Sequence, residues 1–199
     1  MRKWFAVWSA VMFLGAGMAA LAGTGDDTAP RQGDAETAAL RVGDPAPNVK
    51  LAATGADGEK TQVELKSFQG KKNVLLAFYP RTFTSGCTKQ MCGYRDDFSR
   101  FKDADTEVFA ISVEPQDASD RFKAEYKLPF NVVGDEQQKI VKAFKIPVRD
   151  ANGNVFAKRS VFLIDKKGVI RHIDLDYDIE NDKQDVYDRL AALNKTGES

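Results

Sequence analysis

The sequence contains two cysteines, Cys87 and Cys92, and both lie in the segment FYPRTFTSGCTKQMCGYRD, residues 78–96. An apolar run of strand length, residues 73–79, comes directly before, and the residues after Cys87 show helical periodicity. Cys87 is therefore expected in the first turn of a helix. Free backbone N–H groups and the helix dipole stabilise a thiolate at such a place. The pattern predicts that Cys87 is a nucleophile.

The five-residue spacing between the cysteines argues against a permanent structural disulfide. Along an α-helix, five residues rise about 7.5 Å and turn about 140°, which separates the two Cα atoms by roughly 8.6 Å. A disulfide needs a separation under about 7 Å, so a permanent bond would break the helix that the pattern predicts. The spacing favours a transient catalytic pair. It also differs from the C-x-x-C of thioredoxin-type proteins and zinc knuckles.

Polar and conformationally restricted residues lie between the predicted strand and Cys87. Thr84 and Ser85 occupy plausible N-cap positions, and the Thr84 hydroxyl could also turn toward the sulfur. Pro80 ends the strand and leaves the loop without one backbone donor, a shape that can roof a pocket. These residues are candidates for the surroundings of a reactive thiolate.

Three ring-bearing side chains are weaker candidates. Phe83 and Tyr94 could line a pocket beside Cys87, although aromatic residues around a helix start more often belong to the core. His172, the only histidine, alternates outward on a predicted strand, and we expect it at the surface.

Strand-like and helical segments alternate along the chain from about residue 41. Strands are predicted at 73–79, 107–113 and 130–135, with a hairpin of 160–165 and 169–174. Helices are predicted at 88–103, 119–128, 136–146 and 185–194, and a turn at 150–154. This order predicts an α/β fold with a central mixed β-sheet flanked by helices.

The N-terminal region differs from the rest of the chain. Residues 1–22 have a basic start, an uncharged run and an Ala-rich end, typical of a signal peptide cleaved before Gly23, with an uncleaved membrane anchor as the alternative. Both predict an exported, periplasmic or extracytoplasmic protein. Residues 23–39 are small, polar and acidic and predict a flexible linker. Residues 40–199 are expected to form one globular domain.

The charge balance bears on possible partners. The 199 residues include 29 basic and 29 acidic side chains, so the formal net charge is zero. A nucleic acid is therefore not an expected partner. We expect a monomer that contacts a membrane only if the N-terminal segment is not cleaved.

The segment around Cys87 resembles the active-site segment of peroxiredoxins, whose motif is P-x-x-x-T-x-x-C. Pro80, Thr84 and Cys87 occupy the three motif positions, and the second cysteine five residues on is similar to the bacterioferritin-comigratory or PrxQ type. The resemblance extends over about residues 41–175, where RSVFLIDKKGVIR supplies the counterpart of the family's active-site arginine, Arg159. It implies a thioredoxin-like fold and the thiol-dependent reduction of hydrogen peroxide and organic hydroperoxides.

The resemblance also implies a role for each residue. Cys87 would attack the peroxide, Arg159 would lie beside the thiolate, and Thr84 would hydrogen-bond the sulfur or the peroxide. Backbone N–H groups of Gly86 and Cys87 would bind the polarised oxygen. Gly86 and Phe83 are the candidate substrate-binding residues, Phe83 as a possible wall of the pocket. Cys92 would resolve the sulfenic acid as an intramolecular disulfide, which a thioredoxin-like dithiol protein would reduce. No cofactor or metal is implied.

Two further function classes stay open on the sequence alone. An exported copper-binding protein of the SCO-like class uses two cysteines and a distant histidine, which Cys87, Cys92 and His172 could supply. The cysteines of that class are spaced C-x3-C on one helical face, unlike the pair here. A redox-inert binding module is the other class. Ser85 and Gln90 depart from the Pro and Glu common in the PrxQ type, which leaves the substrate preference open.

Overall fold

A computed structural model describes residues 39–54 and 58–196 of the chain. The predicted signal segment 1–22 and nearly all of the predicted linker 23–39 lie outside the described residues. Within the described ranges, no helix has both the length and the apolar character that are needed to cross a membrane.

The order of elements matches the predicted alternation of strands and helices. The strands of the described ranges are β1 (Lys50–Thr54), β2 (Lys60–Glu64), β3 (Asn73–Phe78), β4 (Thr106–Ser112), β5 (Asn131–Gly134), β6 (Val148–Ala151), β7 (Asn154–Ala157), β8 (Ser160–Ile164) and β9 (Ile170–Asp174). The helices are α1 (Ser85–Asp96), α2 (Phe98–Asp103), α3 (Gln116–Tyr126), α4 (Lys139–Ala143) and α5 (Lys183–Thr196), with a short 3-10 helix at Leu65–Phe68.

Five strands form a central mixed sheet in the order β5-β4-β3-β8-β9. β3, β4 and β5 are parallel, whereas β8 is antiparallel to both β3 and β9. In this register Phe78, at the end of β3, pairs with Ser160, at the start of β8. The chain that leaves β3 toward α1 and the residue before β8, Arg159, therefore lie at the same edge of the sheet. The predicted mixed sheet is confirmed.

Both faces of the sheet are covered. Since alternate side chains of a strand point to opposite faces, each central strand contributes to two cores. On β3, Leu75 and Ala77 belong to the core that contains Met91 and Tyr94 of α1. Val74, Leu76 and Phe78 face the other core, which contains residues of α4 and the 3-10 helix. The helix that carries the cysteines thus packs on one face of the central strand.

Two features differ from the sequence prediction, and one predicted turn is confirmed. The helix predicted at 88–103 is divided at Asp97, whose carboxylate accepts hydrogen bonds from α5. The hairpin of β1 and β2 was not predicted. The turn predicted at 150–154 joins β6 to β7, with Asn152 and Gly153 at φ 56° and 79°. Such left-handed dihedrals suit a tight hairpin turn.

The predicted surface position of His172 is wrong. His172 is buried on β9, and its Nε2 lies 3.8 Å from Asp185 Oδ2 on α5, the helix that covers this part of the strand. Burial lowers the pKa of His172, and Arg189 acts in the same direction. Strand alternation alone could not reveal which face α5 covers.

Candidate active site

The loop between β3 and α1 places Cys87 as the third residue of the helix. Thr84 is the N-cap, and its carbonyl accepts the first helical hydrogen bond, from Thr88 N at 2.9 Å. The Thr84 hydroxyl donates to the carbonyl of Arg81 at 3.1 Å and makes no side-chain capping bond. The predicted start of the helix is confirmed. The Cys87 side chain is buried, with 1% of the residue exposed.

A carboxylate that sequence reasoning did not single out fixes this loop. Glu114, just after β4, accepts hydrogen bonds from the backbone N–H of Thr82 at 2.6 Å and from its hydroxyl at 3.0 Å. Phe83, the next residue, has φ 57°, a conformation that costs energy for a bulky residue unless its surroundings hold it. The bonds to Glu114 supply part of that support.

Arg159 lies against the Cys87 thiol. Its Nη2 donates to Cys87 Sγ at 3.3 Å. A Cβ atom built on Gly86 would lie 3.5 Å from the same Nη2, so the guanidinium also packs on the first turn of α1. The structure thus brings together a buried sulfur, a helix N-terminus and a permanent positive charge. This arrangement suits a nucleophilic sulfur, because negative charge that develops there or on a bound substrate would lie beside the guanidinium and the helix N-terminus.

Gln90 holds the other end of the guanidinium. Its Oε1 accepts a hydrogen bond from Arg159 Nη1, and the residue is buried, with 2% exposed. Gln90 is three residues after Cys87, so both side chains lie on one face of α1. That spacing was a signal for the role of Gln90, but sequence reasoning treated the residue only as a departure from the PrxQ type.

Arg159 also lines a cavity of about 350 Å³. Its walls are mainly apolar, and its lining residues are Pro80, Pro147, Val148, Arg149, Phe156, Ala157, Lys158 and Arg159. Pro80 thus takes the predicted place beside a pocket. The hairpin of β6 and β7 supplies much of the wall, although the sequence pattern indicated only its turn.

Phe83 does not line this cavity. Its ring packs edge-on against Phe122 of α3 at a centroid distance of 5.2 Å and near Tyr126 at 6.2 Å, and 49% of the residue is exposed. Tyr94 is fully buried in the core beneath α1. The structure therefore places neither of these aromatic residues in the cavity.

Cys92 lies one turn and a half further along α1 and is partly buried. Both cysteines are free, and α1 is continuous from Ser85 to Asp96. This confirms the prediction of an intact helix in the reduced protein. Beside Cys92, the side chain of Lys183 crosses Gly93, since a Cβ atom there would lie 3.7 Å from Lys183 Cδ and Nζ.

The end of α1 is attached to α5 through Asp97. Its Oδ2 accepts hydrogen bonds from Lys183 Nζ at 2.8 Å and from the Tyr187 hydroxyl at 2.9 Å. The hydrogen bond from Lys183 is the main cause that lowers the pKa of Asp97. Lys89, nearer the start of α1, forms an ion pair with Glu180. Side chains of residues 180–187 therefore contact α1 at Lys89 and Gly93 and the residue that follows it, Asp97.

Among the residues that the structure describes, no group of three or more His, Cys, Asp and Glu side chains is arranged to hold a metal ion. The cysteines and His172 do not converge into such a group.

The comparisons with known proteins agree with this geometry. A profile of the AhpC/TSA family matches residues 42–173. The chain belongs to this family. Peroxiredoxin Bcp of Escherichia coli, an AhpC/TSA relative, is 36% identical over 145 residues, which cover 71% of this chain and 90% of that protein.

Another AhpC/TSA relative is chloroplastic peroxiredoxin Q of Oryza sativa subsp. japonica. It is 38% identical over 131 residues, 66% of this chain and 57% of the rice protein, so the match spans little more than half the length of that relative. A solved structure of peroxiredoxin Q from Xanthomonas campestris superposes with a TM-score of 0.65 at 22% identity, covering 73% of this chain and 91% of that one. The predicted thioredoxin-like fold is confirmed.

Proposed function

We propose that this protein is a thiol-dependent peroxidase that reduces hydrogen peroxide and organic hydroperoxides with Cys87 as its nucleophile. The Cys87 thiolate attacks one peroxide oxygen, the O–O bond breaks, and the sulfur becomes a sulfenic acid. The leaving hydroxide or alkoxide takes a proton from solvent and departs as water or alcohol. Membership of the AhpC/TSA family supports this reaction class.

The contact between Arg159 and Cys87 carries the proposal. A guanidinium nitrogen 3.3 Å from a buried sulfur stabilises the thiolate, and it can also donate to a peroxide oxygen as negative charge develops there. Backbone N–H groups of Gly86 and Cys87 lie in the first turn of α1, where they have no helical partner, and they are the proposed donors to the polarised oxygen. The Thr84 hydroxyl is a further proposed donor to the peroxide. This role requires the hydroxyl to turn from the Arg81 carbonyl toward the substrate.

The cavity beside Arg159 supports organic hydroperoxides as substrates. Hydrogen peroxide needs no apolar wall, whereas an alkyl group gains about 25 cal/mol for each Å² that it removes from water. Val148 is 45% exposed at this cavity, so its side chain is available to such a group. We expect Val148→Asp to slow reduction of a bulky alkyl hydroperoxide more than that of hydrogen peroxide.

Peroxide consumption by the purified full chain with a dithiol reductant tests the proposal. We expect turnover by the wild type and none by Cys87→Ser. Cys92→Ser is the matched control, because it removes a thiol from the same helix and should still form one sulfenic acid per chain. Stoichiometric Cu(I) binding without turnover would favour the SCO-like alternative and would contradict the proposal.

The second proposed step is an intramolecular disulfide between Cys87 and Cys92. The Cys92 thiol attacks the sulfenic sulfur, water leaves, and a thioredoxin-like dithiol protein reduces the resulting bond. Because the two residues are five apart in an intact helix, the bond requires that at least the turn holding Cys92 unwinds. We expect faster amide hydrogen exchange across residues 84–100 after oxidation, with β3 and β4 little changed. Equal exchange in both states would contradict this step.

The proposed location is outside the cytoplasmic membrane, and the proposed assembly is a monomer. The basic residues Arg2 and Lys3 before an uncharged run support export. N-terminal sequencing of protein recovered from the periplasm should find Gly23 first if the segment is cleaved, and Met1 if it remains as an anchor. Recovery only from the cytoplasm would contradict export.

A further inference from the structure

Three buried polar atoms belong to Gln90, which contacts Arg159, and to two tyrosines near it. Gln90 Nε2 and the hydroxyl oxygens of Tyr94 and Tyr177 are inaccessible to solvent and have no hydrogen bond of ordinary geometry among the described residues. Tyr94 follows Gln90 by four residues on α1, so their side chains are neighbours on one helix face. The rings of Tyr94 and Tyr177 have centroids 6.5 Å apart. The three groups therefore occupy one buried region.

These groups are close enough to influence one another electrostatically. Burial raises the pKa of Tyr94, and the polar groups of Tyr177 and Gln90 lie near enough to oppose that rise. Burial also raises the pKa of Tyr177. Both phenols are therefore neutral over the physiological range. A neutral phenol accepts one hydrogen bond and donates another, which makes Tyr94 able to serve Gln90 and Tyr177 together.

The orientation of the Gln90 amide decides whether Arg159 has an acceptor. With Oε1 toward the guanidinium the contact is favourable, as the structure shows. With the amide rotated by 180°, Nε2 would face Arg159 and two donors would oppose each other. Since Nε2 is buried, a nearby acceptor for its N–H is what makes the favourable orientation stable.

We propose that Tyr94 is a positioning residue, which fixes the Gln90 amide and through it the guanidinium of Arg159, and that Tyr177 supports Tyr94 from behind. The proposed series of contacts runs from Tyr177 through Tyr94, Gln90 and Arg159 to the Cys87 sulfur. Its value for peroxide reduction rests on the proposed function, whereas its effect on the reactivity of the sulfur does not. Within this series of residues, Arg159 is the one whose contact with Cys87 carries the effect.

The charges around Gln90 and Tyr94 are few. Arg159, the residue before β8, lowers the pKa of Tyr94. Asp174, at the end of β9, raises that pKa more weakly. Tyr187 of α5 is close to Tyr177, and its hydroxyl bonds Asp97. Removal of a phenol oxygen changes none of these charges, so a change at Cys87 would report the orientation of Arg159.

The test is the pH dependence of Cys87 alkylation by iodoacetamide, measured in a Cys92→Ser background. We expect Tyr94→Phe to shift the midpoint upward and to lower the alkylation rate at pH 6 by about three- to tenfold, the effect of one buried hydrogen bond. Tyr177→Phe should shift it in the same direction by less. Tyr187→Phe, which removes a hydroxyl from the same core that bonds Asp97 instead, is the matched control and should leave the profile unchanged.

A double-mutant comparison separates positioning from a general loss of packing. In a Gln90→Ala background, Tyr94→Phe should produce no further shift, because the group through which it acts is gone. An undiminished shift in that background, or an equal shift in Tyr187→Phe, would overturn the proposal. Alkylation needs no peroxide. A wild type that alkylates with the expected dependence on Tyr94 but consumes no peroxide would therefore refute the proposed function and leave this inference standing.

Discussion

The two halves of α1 are held in different ways. At its start, Arg159 contacts the Cys87 sulfur, Gln90 holds Arg159, and Glu114 ties the preceding loop. In its second half, Cys92 is held indirectly, through Lys183 crossing Gly93 and through Asp97 at the helix end. At the start, the contacts involve the buried side chains of Cys87 and Gln90. In the second half, Met91 and Tyr94 are also buried in the core, but the polar contact between Asp97 and Lys183 joins side chains that are about one-third exposed.

The difference between the two halves fits the two steps of the proposed mechanism. Peroxide attack needs a fixed sulfur, since small displacements weaken the bonds that stabilise the transition state. Disulfide formation needs the second half to open. Contacts that are partly exposed break at lower free energy than buried ones. In the proposed mechanism, the turn at Cys92 would open only after the sulfenic acid has formed, so the contacts of Cys87 would stay in place during peroxide attack.

The largest effect is expected from the first half. Arg159→Met should lower the rate of sulfenic acid formation by about 100-fold or more, because it removes the charged donor at the reacting sulfur. Stopped-flow measurement with hydrogen peroxide gives this rate. Arg121→Met, an exposed arginine on α3 paired with Asp117, is the control for loss of charge. A rate for Arg159→Met close to that of the control would show that the guanidinium plays no part in attack.

A smaller effect is expected at the attachment to α5. Asp97→Asn should lower the free energy of unfolding by about 1–2 kcal/mol, because Lys183 and Tyr187 lose a charged acceptor. Disulfide closure should become faster and peroxide attack should not change. Chemical denaturation and rapid-quench analysis measure the two. Asp96→Asn, which removes an exposed carboxylate paired with Arg95, is the control.

The same substitution has a pH signature. The folded protein lowers the pKa of Asp97 below its ordinary value of 3.8. The stability that this carboxylate contributes is therefore complete above that value and is lost as the pH falls through the lower folded pKa. The difference in stability between wild type and Asp97→Asn should shrink on acidification below about pH 4. A difference that persists undiminished there would mean that the charge is not its source.

A substitution that stabilises α1 should have the opposite effect on disulfide closure. Gly93→Ala should stabilise α1 by up to about 1 kcal/mol and slow disulfide closure about fivefold, because alanine favours helix over the unwound chain. The added methyl group fits, since it would meet Lys183 only at an ordinary contact distance of 3.7 Å. Sulfenic acid formation, measured in the same experiment, should be unchanged. Equal slowing of both steps would show that the two halves of α1 move together.

The smallest effect is expected at His172, beneath α5. Burial lowers the pKa of His172 below its ordinary 6.5, so the folded protein favours the neutral form. Its stability contribution is complete above pH 6.5 and is lost as the pH falls through the lower folded pKa. His172→Gln should flatten this dependence by less than about 1 kcal/mol in denaturation curves. A wild type whose stability rises on acidification across that window would contradict the assignment.

Elements whose sequence pattern is local could be predicted without the structure. The apolar run of β3, the hairpin of β8 and β9 and the start of α1 follow from periodicity and from residues such as Pro80 and Thr84. The five-residue spacing determined that Cys87 and Cys92 lie too far apart to bond in an intact helix. These inferences succeeded because the interactions involved lie within a few residues of one another.

The residues around the two sulfurs could be identified only from the tertiary structure. Glu114 reaches the active-site loop across 32 residues, and Lys183 reaches Asp97 across 86. The sheet register brings Arg159 beside Cys87, and the packing of α5 buries His172, which sequence alternation placed outside. Contacts between residues this far apart depend on how whole elements pack, and a pattern confined to one segment carries no record of that packing.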